Sequence, residues 1–137
     1  MFLPALITMT LVSPFASETA FAPANFKEIT LWCIQWKNEI NDIQKQLIEL
    51  ALDAQTKTSI SEAQNNLDKI IKSADTNTDI STDLGKFTLT KIKLYVNITR
   101  SSLSRVLTSS IEAGAPEILT LRVYNLSKQV EELGATL

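Results

Sequence analysis

The sequence predicts an all-α protein, an antiparallel bundle of four long amphipathic helices, and three observations carry that expectation. Proline occurs only at positions 4, 14, 23 and 116, so the chain from Ala24 to Ala115 holds none. A run of that kind suits long helices, because an interior proline removes a backbone donor and clashes with the preceding turn. Glycine is equally scarce, at three residues, which leaves little material for the turns of a sheet protein. Apolar residues then recur at spacings of three and four through most of the chain, the period of a helix with one buried face.

The first residues stand apart. Phe2 to Val12 is almost wholly apolar and uncharged, and Ser13-Pro14 follows it as a turn. Such a stretch is too short to span a bilayer but fits the hydrophobic region of a secretory signal. Ala20-Phe21-Ala22 supplies a cleavage pattern, with Ala16-Ser17 as the alternative because Pro23 directly after Ala22 disfavours cleavage. The expectation is a signal peptide over residues 1–22, a bundle domain over residues 25–137 and an extracellular or cell-wall location.

Helix one is expected to open at Asn25 as N-cap, with Glu28 reaching back to it. Its seam is Phe26, Ile29, Cys33, Trp36, Ile40, Ile43, Leu47 and Leu50. Helix two is expected to start at a capping box of Ser59 and Glu62, with the stripe Ile60, Ala63, Leu67, Ile70, Ile71 and Ala74. The polar run from Asp75 to Asp79 reads as a loop, and Asp79 as the cap of helix three. Helix three then extends to about Ile111, with the stripe Ile92, Tyr95, Thr99, Leu103, Val106 and Leu107. Phe87, Leu94 and Ile98 widen its apolar surface beyond one seam, and Gly85 points to an irregular first turn. Gly114 closes the helix and Pro116 opens helix four at its first position. The last seam is Leu119, Val123, Leu126, Val130, Leu133 and Leu137.

Composition excludes several chemistries. Histidine is absent and Cys33 is the only cysteine, which removes the commonest general base, imidazole metal ligands and an intramolecular disulfide. A formal net charge of −2 with no charged tail gives nucleic-acid binding no electrostatic basis. Glu131 and Glu132 are adjacent on a helix and point apart, so they form no acid–base pair. The expectation is a non-catalytic protein with no cofactor, no metal and no nucleic-acid partner.

Binding candidates remain. Trp32 and Trp36 share a helical face and could stack on a flat or acyl ligand, although their place on and beside the seam fits the core or its edge better. Cys33, also on the seam, reads as a small buried hydrophobe. Lys86, Lys93 and Arg100 recur every seven residues on helix three and form a line that could contact an anion. An ordinary solvated face, balanced by acids on helices one and two, is the competing reading. Asn97-Ile98-Thr99 and Asn125-Leu126-Ser127 are sequons, which make Asn97 and Asn125 candidate glycosylation sites if the chain is secreted.

From about Ile60 onward the sequence resembles the fungal hydrophobic surface binding protein A family, which includes the cell-wall galactomannoproteins. The run Ala63-Gln64-Asn65-Asn66-Leu67-Asp68-Lys69-Ile70-Ile71-Lys72-Ser73-Ala74-Asp75 is similar to that family's second helix and the loop after it. The spacing Ile92, Tyr95, Thr99, Leu103, Val106, Leu107 is similar to its third helix, and Leu126-Ser127-Lys128 with Leu133-Gly134-Ala135-Thr136-Leu137 to its fourth. The resemblance covers about three-fifths of the chain and implies a secreted helical bundle that adsorbs to hydrophobic surfaces or holds a fatty acid or other lipid. On that reading the ligand would be lined by Trp36, Ile40, Ile70, Tyr95, Leu103, Val106, Val123 and Leu126. A cell-wall polymer is a further expected partner, met by Lys86, Lys93 and Arg100.

The chain departs from the family in a longer, tryptophan-richer first helix. The family's fold also carries a fifth helix after the Leu-Gly-Ala-x-Leu segment, where this sequence ends. Without that helix Leu126, Val130 and Leu133 are expected to be partly exposed, or covered by a partner, a second copy or the apolar N-terminal segment. The alternative function is accordingly a structural module that docks or self-associates through an exposed apolar seam.

Overall fold

The computed structural model describes residues 26–50, 53–75 and 78–137. Four helices make up nearly all of it: α1 (Phe26–Leu47), α2 (Ala54–Ala74), α3 (Asp83–Glu112) and α4 (Glu117–Thr136). A 3₁₀ turn at Ile48–Leu50 follows α1. Asn25 and the expected signal segment lie outside the described residues.

Cross-helix partners fix the topology. Lys37 reaches Asp68 at 2.6 Å while Asn41, further along α1, accepts from Gln64, so α1 and α2 run antiparallel. Lys69 lies over the Tyr95 ring and Glu62 pairs with Arg105, which makes α2 and α3 antiparallel as well. Trp36 meets Gln129, and Arg122 meets Glu39 and Asp42, so α4 returns beside α1 and closes the square.

The buried faces follow the helical period. In α1 they are Phe26, Ile29, Cys33, Trp36, Ile40, Ile43 and Leu47, the seam read from the sequence except that Leu50 falls in the 3₁₀ turn and is only half-buried. In α4, Leu119, Val123, Leu126, Val130 and Leu133 are buried. The expected exposure of Leu126, Val130 and Leu133 is therefore incorrect: each is no more than 2% accessible. Four helices packed in a closed square cover the α4 seam with α1 and α3, and no fifth helix is needed to bury it.

Helix α3 solves its burial differently. It is the longest helix yet contributes four buried apolar side chains, Ile92, Val96, Leu103 and Val106, against seven from α1. The rest of its inner face is Thr88, Thr99, Ser102 and Ser110. Thr88, Thr99 and Ser110 donate to the carbonyls of Leu84, Tyr95 and Val106 one turn earlier, so three buried hydroxyls cost no unpaired donor. The stripe read from the sequence is accordingly shifted. Val96 belongs to it, whereas Tyr95 and Leu107 sit half-buried on its flanks.

Three helix starts differ from expectation. The N-cap of α2 is Asp53, whose carboxylate accepts from the Thr56 backbone N–H and hydroxyl, both at 2.8 Å. Those bonds, the backbone one foremost, hold the Asp53 carboxyl below its ordinary value. Ser59, expected as the cap, is buried inside the helix, because a Ser-x-x-Glu spacing is equally compatible with mid-helix positions. Helix α3 is capped by Thr82, which accepts from the Gly85 N–H at 3.0 Å. Asp79 instead organises the preceding turn by accepting from Ser81. Pro116 is the N-cap of α4 rather than its first residue.

Two glycines have a structural reason. Gly114, at φ 75°, takes the left-handed conformation that ends α3 after Ala113. Gly85 stands within a regular first turn, not the irregular one expected, and is buried because the chain at Asp79–Ile80 passes directly over it. A Cβ there would run into the Asp79 carbonyl oxygen and lie 2.8 Å from the Ile80 Cα. Backbone cannot move aside as a side chain can, so Gly85→Ala is expected to destabilise the fold by about 1–3 kcal/mol. A urea midpoint unchanged from that of the unaltered protein would contradict this packing.

Candidate functional site

The residues expected to line a ligand fall into two groups. Ile40, Leu103, Val106, Val123 and Leu126 come together with Ile43, Gln44 and Ile60 around a void between all four helices. Its volume is about 10 Å³. That is about one water probe, whereas small-molecule pockets run to about 300 Å³ or more. Trp36 and Ile70 are fully buried by packing, and Tyr95 is half-buried beneath the Lys69 ammonium, 5.7 Å from its ring centre.

Trp36 is anchored at both ends. Its ring packs with that of Trp32 at 6.4 Å between centroids and 25° between planes. Its indole N–H donates to Gln129 Oε1 across the α1–α4 seam at 3.0 Å. Arg122 spans the same seam and donates to Glu39 at 3.0 Å and to Asp42 at 2.8 Å. Partial burial works against the Arg122 charge, but the two carboxylates more than offset it and hold the guanidinium protonated. Backbones approach least at this seam, so long polar side chains bridge it. Sequence reading missed this clasp, because an arginine on α4 and two acids on α1 carry no common period.

A second polar cluster ties α2 to α3. Arg105 donates to Glu62 at 2.8 Å, to Ser102 at 3.2 Å and to Ser59 at 3.3 Å, over hydroxyls that are themselves buried. The Ser102 hydroxyl also donates to Glu62, at 3.5 Å. Among the described residues no group of three or more Cys, Asp and Glu could hold a metal ion. No helix among them is long and apolar enough to cross a membrane.

The outer face of α3 carries the rest of the candidates. Lys86 and Lys93 are exposed and Arg100 is half-buried, and none of the three has an ion-pair partner among the described residues. Among the described residues Arg105 is the one cation of this helix that forms an ion pair, with Glu62 of α2. Beside that line stand Phe87, Leu94 and Ile98, accessible at 61%, 57% and 39%. Lys91 lies 5.8 Å from the centre of the Phe87 ring. Asn97 and Asn125 are both exposed, so burial bars a glycan at neither.

Cys33 is fully buried, and desolvation pushes its thiol up to about 12. The thiolate is the reactive form, so the folded protein is expected to resist a thiol reagent at pH 8 and to react fully once unfolded in denaturant. Native-state labelling as fast as that of the unfolded chain would place Cys33 elsewhere.

Comparison of the chain with protein-family models, with characterised proteins and with solved structures finds no match to any of them.

Proposed function

We propose that this chain is a non-catalytic binder of apolar surfaces and lipids, of the secreted cell-wall type, and that it meets them with its outer surface. One contrast carries the reading. The void between the four helices holds only about 10 Å³, while Phe87, Leu94 and Ile98 remain exposed along one helix. A solvated aromatic and two aliphatic side chains on one face mark a place where apolar surface is to be covered. The resemblance to hydrophobic surface binding proteins agrees with this use. A fatty acid could enter the interior only by parting the helices. In this reading residues 1–22 direct the chain out of the cell.

A second reading rests on Ile111, Ile118 and Leu121, exposed on the last turn of α3 and the first turns of α4. These would let one end of the bundle dock on a partner or a second copy, as an interaction module.

Retention on neutral octyl-coated beads, against uncoated beads, separates the two. Surface binding predicts saturable retention that falls at least about tenfold in a Phe87→Ser/Leu94→Ser variant, since each side chain contributes about 1.5–3 kcal/mol on full burial. Equal retention on coated and uncoated beads overturns the reading. Concentration-dependent sedimentation without retention selects the interaction module, and stoichiometric uptake of a fluorescent fatty acid selects the interior.

A further inference from the structure

We propose that the outer face of α3 between Leu84 and Arg100 is a docking site for an anionic lipid surface, an inference that rests on the surface-binding reading and specifies its partner. The first observation is the distribution of charge. The chain as a whole carries −2, yet between Asp83 and Glu112 there are five basic residues and no acid. Four of them, Lys86, Lys91, Lys93 and Arg100, form no ion pair among the described residues. A negatively charged protein has no general attraction to an anionic surface, so only this face, turned toward it, is drawn in.

The second observation is where the apolar side chains stand relative to those charges. At 3.6 residues per turn, Phe87, Leu94 and Ile98 fall within about 40° of one another, as do Lys86, Lys93 and Arg100. The two lines are about 120° apart and straddle the solvent side of the helix, away from Ile92, Val96, Leu103 and Val106. Lys91 flanks the apolar line on its other side, over the Phe87 ring. An apolar strip bordered by long basic side chains matches a headgroup boundary. The strip enters the acyl region while the ammonium groups extend back along their stems to lipid phosphates.

The third observation is exposure. Leu84, in the first turn of α3, is 60% accessible beside the exposed Lys86 and Phe87. A second copy of the chain fits this face poorly, because it would bring the same uncompensated cations together.

The test is flotation with vesicles of neutral phosphatidylcholine and with vesicles that also contain phosphatidylserine. The protein is produced without glycans, since Asn97 lies on the same face. Each basic residue near an anionic leaflet strengthens binding about fivefold. The serine-containing vesicles are therefore expected to bind at least about tenfold more tightly, and added salt to erase the difference. Lys86→Gln/Lys93→Gln/Arg100→Gln should remove the preference for anionic lipid while retention on octyl beads persists. Leu31→Ser/Ile34→Ser, on the outer face of α1, should leave it intact; circular dichroism confirms that each variant is folded. Equal binding to both vesicles, or equal loss in the α1 and α3 variants, overturns the inference but leaves surface binding standing. No binding to vesicles or beads overturns both. A dimer abolished by Phe87→Ser/Leu94→Ser would give the face to a second copy and overturn the lipid site.

Discussion

Helices α2 and α3 pack on each other more extensively than any other pair, and α1 and α4 pack against their outer flanks, α1 on α2 and α4 on α3. On the α2 side Ile60, Ala63, Leu67, Ile70 and Ala74 form an unbroken apolar row. On the α3 side the row is interrupted by threonine and serine, which pack closely only because their hydroxyls turn back to their own helix. Small side chains bring the backbones together, and the Arg105 cluster with Glu62, Ser59 and Ser102 then fixes the register of one helix on the other. A slide by one turn would separate Arg105 from Glu62 and leave buried hydroxyls of two helices without it. The α1–α4 seam is the complement of this arrangement. It is wider, and Trp36–Gln129 and Arg122 with its two carboxylates span it.

Most of the architecture was legible because helix-forming sequences with a constant period admit few folds. The seams of α1 and α4 were read almost residue by residue, since apolar side chains stand at the buried positions from Phe26 to Leu47 and from Leu119 to Leu133, and only their last members, Leu50 and Leu137, are half-buried. The α3 seam was legible only in part. Thr88, Ser102 and Ser110 are polar by type and apolar in role, and nothing in their identity shows that a carbonyl one turn back will satisfy them. Val96 was hidden for the same reason, because Tyr95 beside it is the larger apolar residue and drew the stripe toward itself. The caps at Ser59 and Asp79 were misplaced because a capping signature is short and recurs inside helices and turns. Only the packed neighbours distinguish Asp53 and Thr82 from them.

The candidate site divides along the same line. Seven of the eight apolar residues named for an interior ligand stand on inward faces, with Tyr95 on a flank, but inward placement fills a core as readily as it lines a cavity. Five of the eight border a void of about 10 Å³, too small for an acyl chain. The outward residues of α3 were visible as surplus hydrophobicity and as a line of cations seven apart. Only the fold shows that the two lines flank the same solvent-facing side of one helix. Amphipathic helices in a bundle ordinarily spend their apolar residues on the core. Here α3 places hydroxyls inside and keeps Phe87, Leu94 and Ile98 outside, an inversion that core packing alone does not require.

A closed bundle that binds lipid from outside differs from one that opens around it in what happens to Trp36, which is 1% exposed at the centre of α1. The most direct test is fluorescence quenching by vesicles with brominated acyl chains, in a Trp32→Phe variant that retains Trp36 alone. A companion Trp32→Phe/Trp36→Phe/Phe87→Trp variant places the only tryptophan on the outer face of α3. Binding through the outer face predicts that Trp36 keeps its emission on vesicle binding while the reporter at position 87 is quenched. Quenching of Trp36 with no effect at position 87 would mean that the helices part and the ligand enters between them.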